Sequence, residues 1–390
     1  MNYLIKFDFQ KRKRKHSELN QGEIDSRAFH EKIRSVVLEG TTSLVASARS
    51  LGHLTGAPDA AKEPLPSPQC GLAALCEMAK ELPSADDDDQ RDESAQPLVA
   101  GGGRTSHLDL FSRVTENEAQ WAAVVPLMGG EYVIPPHAAF LLSDFTRIRP
   151  LVRCECGRRF DLIVMDPPWE NKSVKRSRRY SSLPSSQLKR LPIPTLASPN
   201  CLVVTWVTNR PSHLRFVRDE LYPHWGLEVV AQWFWVKVTA SGEFVFPLDS
   251  DHKKPYEVLV LGRYRCAAGD AARWPDVFRS FFSVSLDQRL IVSVPSALHS
   301  QKPCLSEVLK PHVGGGAECL ELFARSLQPG WTSWGNEVLK FQHTSYFTLT
   351  PTDDGAEAPG AEAVAGPTAP PEDPLPAPGG PMAAKQLTRQ

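Results

Sequence analysis

The residues best suited to chemistry in this 390-residue chain are Asp166-Pro167-Pro168-Trp169. They follow Phe160-Asp161-Leu162-Ile163-Val164-Met165, a short apolar run bounded by turn signals, which reads as a buried strand. Asp before Pro is driven out of the α region, and each proline fixes its own φ. The Asp166 carboxylate is thereby held on stiff backbone at the carboxyl end of a strand, where open α/β sheets place ligands. Pro167 and Pro168 carry carbonyl acceptors but no N–H donors, so the turn reads as a surface of acceptors beside an aromatic face. Such a surface suits a planar group with an exocyclic amine, whose N–H groups the oxygens accept while its ring stacks. A nucleobase fits. The plainer alternative is a rigid turn with a core tryptophan.

Directly downstream, Lys172, Lys175, Arg176, Arg178 and Arg179 crowd into a short segment that ends on Tyr180. Basic side chains that grip phosphates, next to a stacking face, are what single-stranded nucleic acid requires. A solvated charged loop is the alternative. The formal net charge is −1, so affinity for nucleic acid has to come from such local patches.

The 8 cysteines are irregularly spaced, which indicates reduced thiols rather than a disulfide framework. Cys154-Glu155-Cys156 is too tight for a zinc pair and lacks a second pair, so no metal site is expected. No apolar run approaches the roughly 18 to 20 residues of a membrane helix, and the amino terminus lacks a signal-peptide pattern. A soluble, intracellular protein without membrane contact is expected. The run Lys11-Arg12-Lys13-Arg14-Lys15 reads as a nuclear-import signal, with a phosphate-binding arm or a solvated tail as alternatives. A nuclear location follows, with room for a cytoplasmic pool.

The elements that must position these residues lie between about 107 and 350. Strand-like runs occur at 138–145, 160–165, 201–207, 227–236, 257–261 and 318–323, with helix-like segments at 185–191, 211–221 and 305–311 between them. Strands alternating with helices argue for an α/β fold with a mainly parallel, doubly wound sheet. Ahead of it, residues 1–54 read as a basic, partly helical region with one or two helices. Residues 55–106, rich in Pro, Gly, Ala and Ser, read as a disordered linker, and 351–390 as a Pro/Ala/Gly-rich disordered tail.

From about Phe140 to about Glu337 the chain resembles the DPPW-type adenine N6-methyltransferases, the family of the messenger-RNA adenosine methylating enzyme. Within it, the methyltransferase-like protein four branch looks closest. The resemblance rests on Asp166 to Trp169, on Ser300-Gln301-Lys302-Pro303, on Glu321-Leu322-Phe323-Ala324-Arg325 and on Gly335-Asn336-Glu337. Catalytic motif first and cofactor motif last implies a permuted Rossmann-like fold and S-adenosyl-L-methionine as cofactor. It further implies that Asp144 and Phe145 read the cofactor adenine and that Lys302 pairs with its carboxylate. Arg325, Asn336 and Glu337 would lie near its ribose and adenine. On the substrate side, Trp206 and Trp235 would wall the base pocket, with Glu257 and Tyr180 beside the base.

Three departures stand out: Ala324 replaces the family's Gly, Glu337 replaces Gln, and Ser326-Leu327-Gln328 matches no family segment. The resemblance implies transfer to nucleic acid. The substrate would be small nuclear RNA at an adenosine already carrying a 2′-O-methyl group, with DNA adenine also assigned to the branch. A need for a protein partner is left open. The rival reading is a catalytically inactive, nucleic-acid-binding scaffold of the same family, in which the DPPW motif is degenerate; here that motif is intact.

Overall fold

The computed structural model describes residues 19–54, 98–99, 107–127, 129–145, 147–153, 158–170, 183–250, 253–265, 288–296, 301–349 and 387–389. The amino-terminal helix is α1 (Gln21–Ser50). The strands follow as β1 (Leu98–Val99), β2 (Thr115–Glu116), β3 (Ala123–Leu127), β4 (Gly130–Ile134), β5 (Ala139–Leu142), β6 (Phe160–Met165), β7 (Ala197–Val207) and β8 (Leu227–Lys237). The last four used here are β9 (Tyr256–Tyr264), β10 (Leu290–Ser293), β11 (Cys319–Leu322) and β12 (Trp331–Gly335). β3 and β4 form an antiparallel hairpin. The other ten make one sheet in the order β1-β2-β5-β12-β11-β6-β7-β9-β8-β10.

The strands from β5 to β7 in that order are all parallel, whereas β9 runs antiparallel to both β7 and β8. One register row crosses the sheet through Leu141, Trp334, Leu322, Met165, Thr205 and Val260. Since these rows are aligned, the segments leaving β5, β12, β11, β6 and β7 all emerge at one carboxyl edge. The late motif strand β11 inserts beside the early motif strand β6. This is the permuted, mainly parallel sheet that the motif order implied.

Strands buried on both faces read as near-continuous apolar runs, and β6 shows why. Leu162 and Val164 point to one side, into a cluster with Trp206, Trp233, Leu305 and Leu309. Ile163 and Met165 point to the other, into the main core with Val203, Leu214, Val217 and Phe234. The first face is covered by α3 (Ser306–Leu309) and the second by α2, which starts at Pro211–Arg215. α2 runs on through a π turn at Phe216–Leu221 to Tyr222–His224.

The sequence placed the start of the folded part near residue 107, and α1 corrects that. Its amino end is closed by a capping box: the Glu23 N–H donates to Asn20 Oδ1 at 3.1 Å, and the Asn20 N–H donates to Glu23 Oε2 at 3.0 Å. His30, Ile33, Val37, Thr41 and Val45 form a buried stripe at helical spacing. Ile33 and Val37 belong to the same core as β6 and α2. Gly40 faces the side-chain tip of Leu290 on β10, which would have to move to admit a Cβ. The polar residues between these positions dilute the apolar signal, and only the sheet shows where the stripe goes. Among the described residues, no helix is long and apolar enough to cross a membrane.

Candidate active site

Asp166 leaves the end of β6 with its N–H 3.4 Å from the carbonyl of Leu322 on β11. Its carboxylate meets two cations from distant segments. Arg325 Nη1 donates to Asp166 Oδ2 at 2.8 Å, and Lys302 Nζ stands 3.7 Å from Asp166 Oδ1. The pairing continues on both sides. Lys302 and Lys237 donate to the two oxygens of Glu257, each at 2.5 Å. Arg325 Nε and Lys340 Nζ reach the two oxygens of Glu337 at 3.2 and 2.9 Å. Positive and negative groups thus alternate from Lys237 through Glu257, Lys302, Asp166, Arg325 and Glu337 to Lys340.

The innermost side chains of this row are nearly enclosed, with 12% of Arg325 and 13% of Asp166 exposed. Burial pushes the Glu257 carboxyl up, but Lys302 and Lys237 together outweigh it and hold it down at about 2. Burial likewise works against the charge on Lys302 and Arg325, yet Asp166 with Glu257 or Glu337 leaves both titrating above their ordinary values. For Glu337, burial is overcome by Lys340 and Arg325, and its titration falls. Each charge is stable here only because its neighbours are present; removing one partner from a buried pair typically costs about 3–5 kcal/mol.

A cleft partly open to solvent lies between the ends of β6 and β11 beside the segment 301–306. Its lining includes Asp166, Trp206, Lys302, Glu321, Phe323 and Arg325. Phe323 has a left-handed backbone, φ 59°, a costly conformation for a bulky residue. It is held by stacking on Phe145, 6.3 Å between centroids, and by the edge of Trp334 at 5.3 Å. This explains the first departure from the family pattern: the left-handed residue of the turn is Phe323, so Ala324 needs no glycine backbone. Its methyl is buried, and its N–H donates to the Trp334 carbonyl at 2.9 Å. The glycine that matters is Gly335, where a Cβ would sit 2.9 Å from the Ala324 carbonyl oxygen.

The structure brings most of the anticipated residues to this edge. Asp144 and Phe145 follow β5, Asn336 and Glu337 follow β12, and Lys302 lies over the cavity. Trp206 lines the cavity, with Lys302 Nζ 5.3 Å from its ring centroid. Trp235 stands behind it, edge-on at 5.5 Å, and donates from Nε1 to Ser293 Oγ at 2.8 Å. It is a second layer of the wall. Glu257, the second residue of β9, pairs with Trp235 and is bound between two lysines.

Trp169 differs from the aromatic face that was expected. Its indole is 5% exposed, donates from Nε1 to the Trp206 carbonyl at 2.8 Å and stacks on His213 at 4.9 Å. The Trp169 N–H also donates to the Pro167 carbonyl at 2.8 Å, and the Leu183 N–H to that of Pro168 at 3.1 Å. Each of these carbonyls therefore already serves one internal donor. Lys172, Lys175, Arg176, Arg178, Arg179 and Tyr180 lie outside the described residues, as do Cys154 and Cys156.

Sequence reasoning passed over Lys237, Lys340, Phe323 and His213. The lysines look like ordinary surface charges, and Phe323 gives no sign of its φ. For His213 the only hint was its place just after a strand end.

S-Adenosyl-L-methionine carries a carboxylate, an amine, a sulfonium and an aromatic base. The lining offers matching groups: the cations Lys302 and Arg325, the carboxylates Asp166 and Glu321, and the apolar faces of Phe323 and Trp206. The residues fit the cofactor. Such a sheet, with such a cleft at its carboxyl edge, suits an S-adenosyl-L-methionine-dependent methyltransferase. Residues 160–337 match the MT-A70 family model. The N(6)-adenine-specific methyltransferase METTL4 of Mus musculus is 52% identical over 344 residues, covering 86% of this chain and 71% of that protein. The N6-methyladenosine RNA methyltransferase MTA1 of Pyricularia oryzae is 32% identical over 268 residues, covering 66% of this chain and 68% of that protein. A DNA N6-methyl methyltransferase of Caenorhabditis elegans is 36% identical over 221 residues, 56% of each chain. The chain belongs to the MT-A70 family.

Proposed function

We propose that this chain methylates the exocyclic N6 of an unpaired adenine in nucleic acid, with RNA as the substrate. More narrowly, the target is small nuclear RNA at a 2′-O-methyladenosine. The observation that carries the reading is the Asp166 carboxylate, fixed at the end of β6 between Arg325 and Lys302 and facing the cavity. The names of the mouse and fungal relatives support adenine and RNA, while that of the nematode relative keeps DNA adenine as a second substrate. An intact Asp166 to Trp169 turn disfavours an inactive scaffold.

When bound, S-adenosyl-L-methionine supplies an electrophilic methyl group. Lys302 is the residue to hold its carboxylate, Asp144 and Phe145 its adenine, and Arg325 and Asn336 its ribose. The amine of adenine is a weak nucleophile because its lone pair is delocalised into the ring. A carboxylate has about four acceptor positions and a carbonyl has two. Asp166 and the Pro167 carbonyl therefore retain sites for the two N–H groups of the amine, despite Arg325 and the Trp169 N–H. Accepting both bonds favours lone-pair development on nitrogen and fixes the amine in line for attack. Positioning and electrostatic stabilisation are the main terms. A paired base cannot present this edge, so the adenine must be unpaired or flipped out.

Lys175, Arg176, Arg178 and Arg179 are assigned to phosphates and Tyr180 to the base. The basic run at 11–15 is assigned to nuclear import. The test is methyl transfer from labelled cofactor to matched RNA and DNA oligonucleotides, each with and without a 2′-O-methyladenosine. Highest turnover is expected on the 2′-O-methylated RNA. No transfer to adenine in any of the four would overturn the proposal.

A further inference from the structure

His213 is buried at 6% exposure, on the first turn of α2 just beyond the end of β7. Its ring lies against the Trp169 indole with centroids 4.9 Å apart and planes 20° from parallel. Its Nδ1 stands 2.8 Å from Thr208 Oγ1, a bond that stops the imidazole from turning about its own axis. Burial first, and then the nearby Arg210, push its titration down to about 4, so near pH 7 it is a neutral plate rather than a cation.

The turn Asp166-Pro167-Pro168-Trp169 is anchored upstream by β6 in the sheet. Downstream it is tied by the Leu183 N–H bond to the Pro168 carbonyl and by the buried indole. The hydrogen bond from Trp169 Nε1 to the Trp206 carbonyl secures one edge of that indole, and the stacked imidazole covers one of its faces within the core. Two consecutive prolines leave few soft torsions between the anchors, so the pose of the indole is passed back along the turn.

Resting on the reading of the site as an adenine N6-methyltransferase, we infer that His213 is a positioning residue for the transfer. By stacking on Trp169 it fixes the turn, and thereby aims the Asp166 carboxylate and the Pro167 carbonyl at the amine. Its function is the flat face, so another planar apolar ring can replace it and a methyl group cannot.

The test compares wild type, His213→Ala and His213→Phe by kcat and KM on an adenine-containing RNA oligonucleotide. Cofactor Kd is measured by calorimetry, and near-ultraviolet circular dichroism is recorded with and without Trp169→Phe. His213→Ala is expected to lower kcat by about tenfold to a hundredfold, the scale for a reacting group displaced by up to about 1 Å. KM and cofactor Kd should stay within about threefold, since a small displacement of the acceptors affects the reacting geometry more than binding. His213→Phe should recover most of the lost kcat. The circular-dichroism contribution of Trp169 should vanish in the Ala variant and persist in the Phe variant.

Unchanged kcat in a folded His213→Ala would overturn the inference, as would a His213→Phe no better than Ala. Wild type inactive on adenine would instead refute the functional reading. The dichroism then decides whether His213 orders Trp169: a signal unaltered in the Ala variant means that it does not.

Discussion

Arg325 Nη1 donates to Asp166 Oδ2 at 2.8 Å across a sequence separation of 159 residues. The contact exists because β11 pairs with β6 in parallel, with Leu322 opposite Met165, so the residues following each strand emerge side by side. One turn carries the proposed acceptor of the substrate amine and the other a proposed cofactor contact. Any shift of β11 against β6 would move the two halves of the site relative to each other.

Asp166→Asn tests the acceptor without stripping Arg325 of an oxygen partner. The amide keeps one acceptor but presents an NH₂ in place of the other. Methyl transfer is expected to fall by about a hundredfold or more, on the scale of about 3 kcal/mol for a preorganised electrostatic contact. Arg325 and Lys302 lose a nearly buried counter-charge, so the melting temperature should fall as well, and the rate is compared at a temperature where a melting curve shows the variant folded. Near-normal single-turnover rates would refute the role given to Asp166.

Lys302→Ala removes the proposed partner of the cofactor carboxylate. A lost charge-assisted hydrogen bond is worth about 1.5–3 kcal/mol, so cofactor Kd should rise by about tenfold to a hundredfold in calorimetry. Glu257 and Asp166 also lose a cation in this variant. A parallel melting curve separates weaker binding from a weaker fold, and unchanged affinity would remove Lys302 from the cofactor site.

Glu257 gives the acid response of the fold a sign. Its folded titration lies at about 2, below the ordinary value of 4.5. The stabilisation is therefore present above about pH 4.5 and is lost as pH falls through about 2, below which the carboxylate is protonated in both states. Its size is on the order of 3 kcal/mol. Wild type should be more stable than Glu257→Gln to urea at pH 7, and the gap should close between about pH 4.5 and pH 2. A gap that stays constant across that window would contradict the assignment.

Ile33→Ala tests whether α1 is part of the catalytic body. Ile33 is 4% exposed and lies in the same core cluster as β6. Truncating such a side chain costs about 2–5 kcal/mol. A single cooperative transition with a lowered midpoint is the expected outcome. A separate early transition, with the rest of the chain unaffected, would show that α1 folds on its own.

What could be read without the structure was local. Phe160–Met165 reveals its strand because six residues buried on two faces must nearly all be apolar, and Asp-Pro-Pro reveals its turn because proline geometry is built into the residue. The motif order revealed the permuted sheet through its resemblance to known chains. The strands β3, β4, β10 and β12 escaped notice; in β12 the reason is that Thr332 and Ser333, both buried, break the apolar pattern that marks a core strand. Tertiary structure alone decided the rest. Whether α1 joins the core depends on what its stripe finds to cover, and helical spacing cannot name the partner. Which of the many lysines become buried partners of carboxylates depends on strand register, as with Lys237 at the end of β8 beside Glu257 on β9. The same holds for His213: its type and neighbours in the chain are those of any helix start. Its role arises because β7 ends where the turn after β6 needs a flat surface. Long-range pairing sets such distances, and no short stretch of sequence contains them.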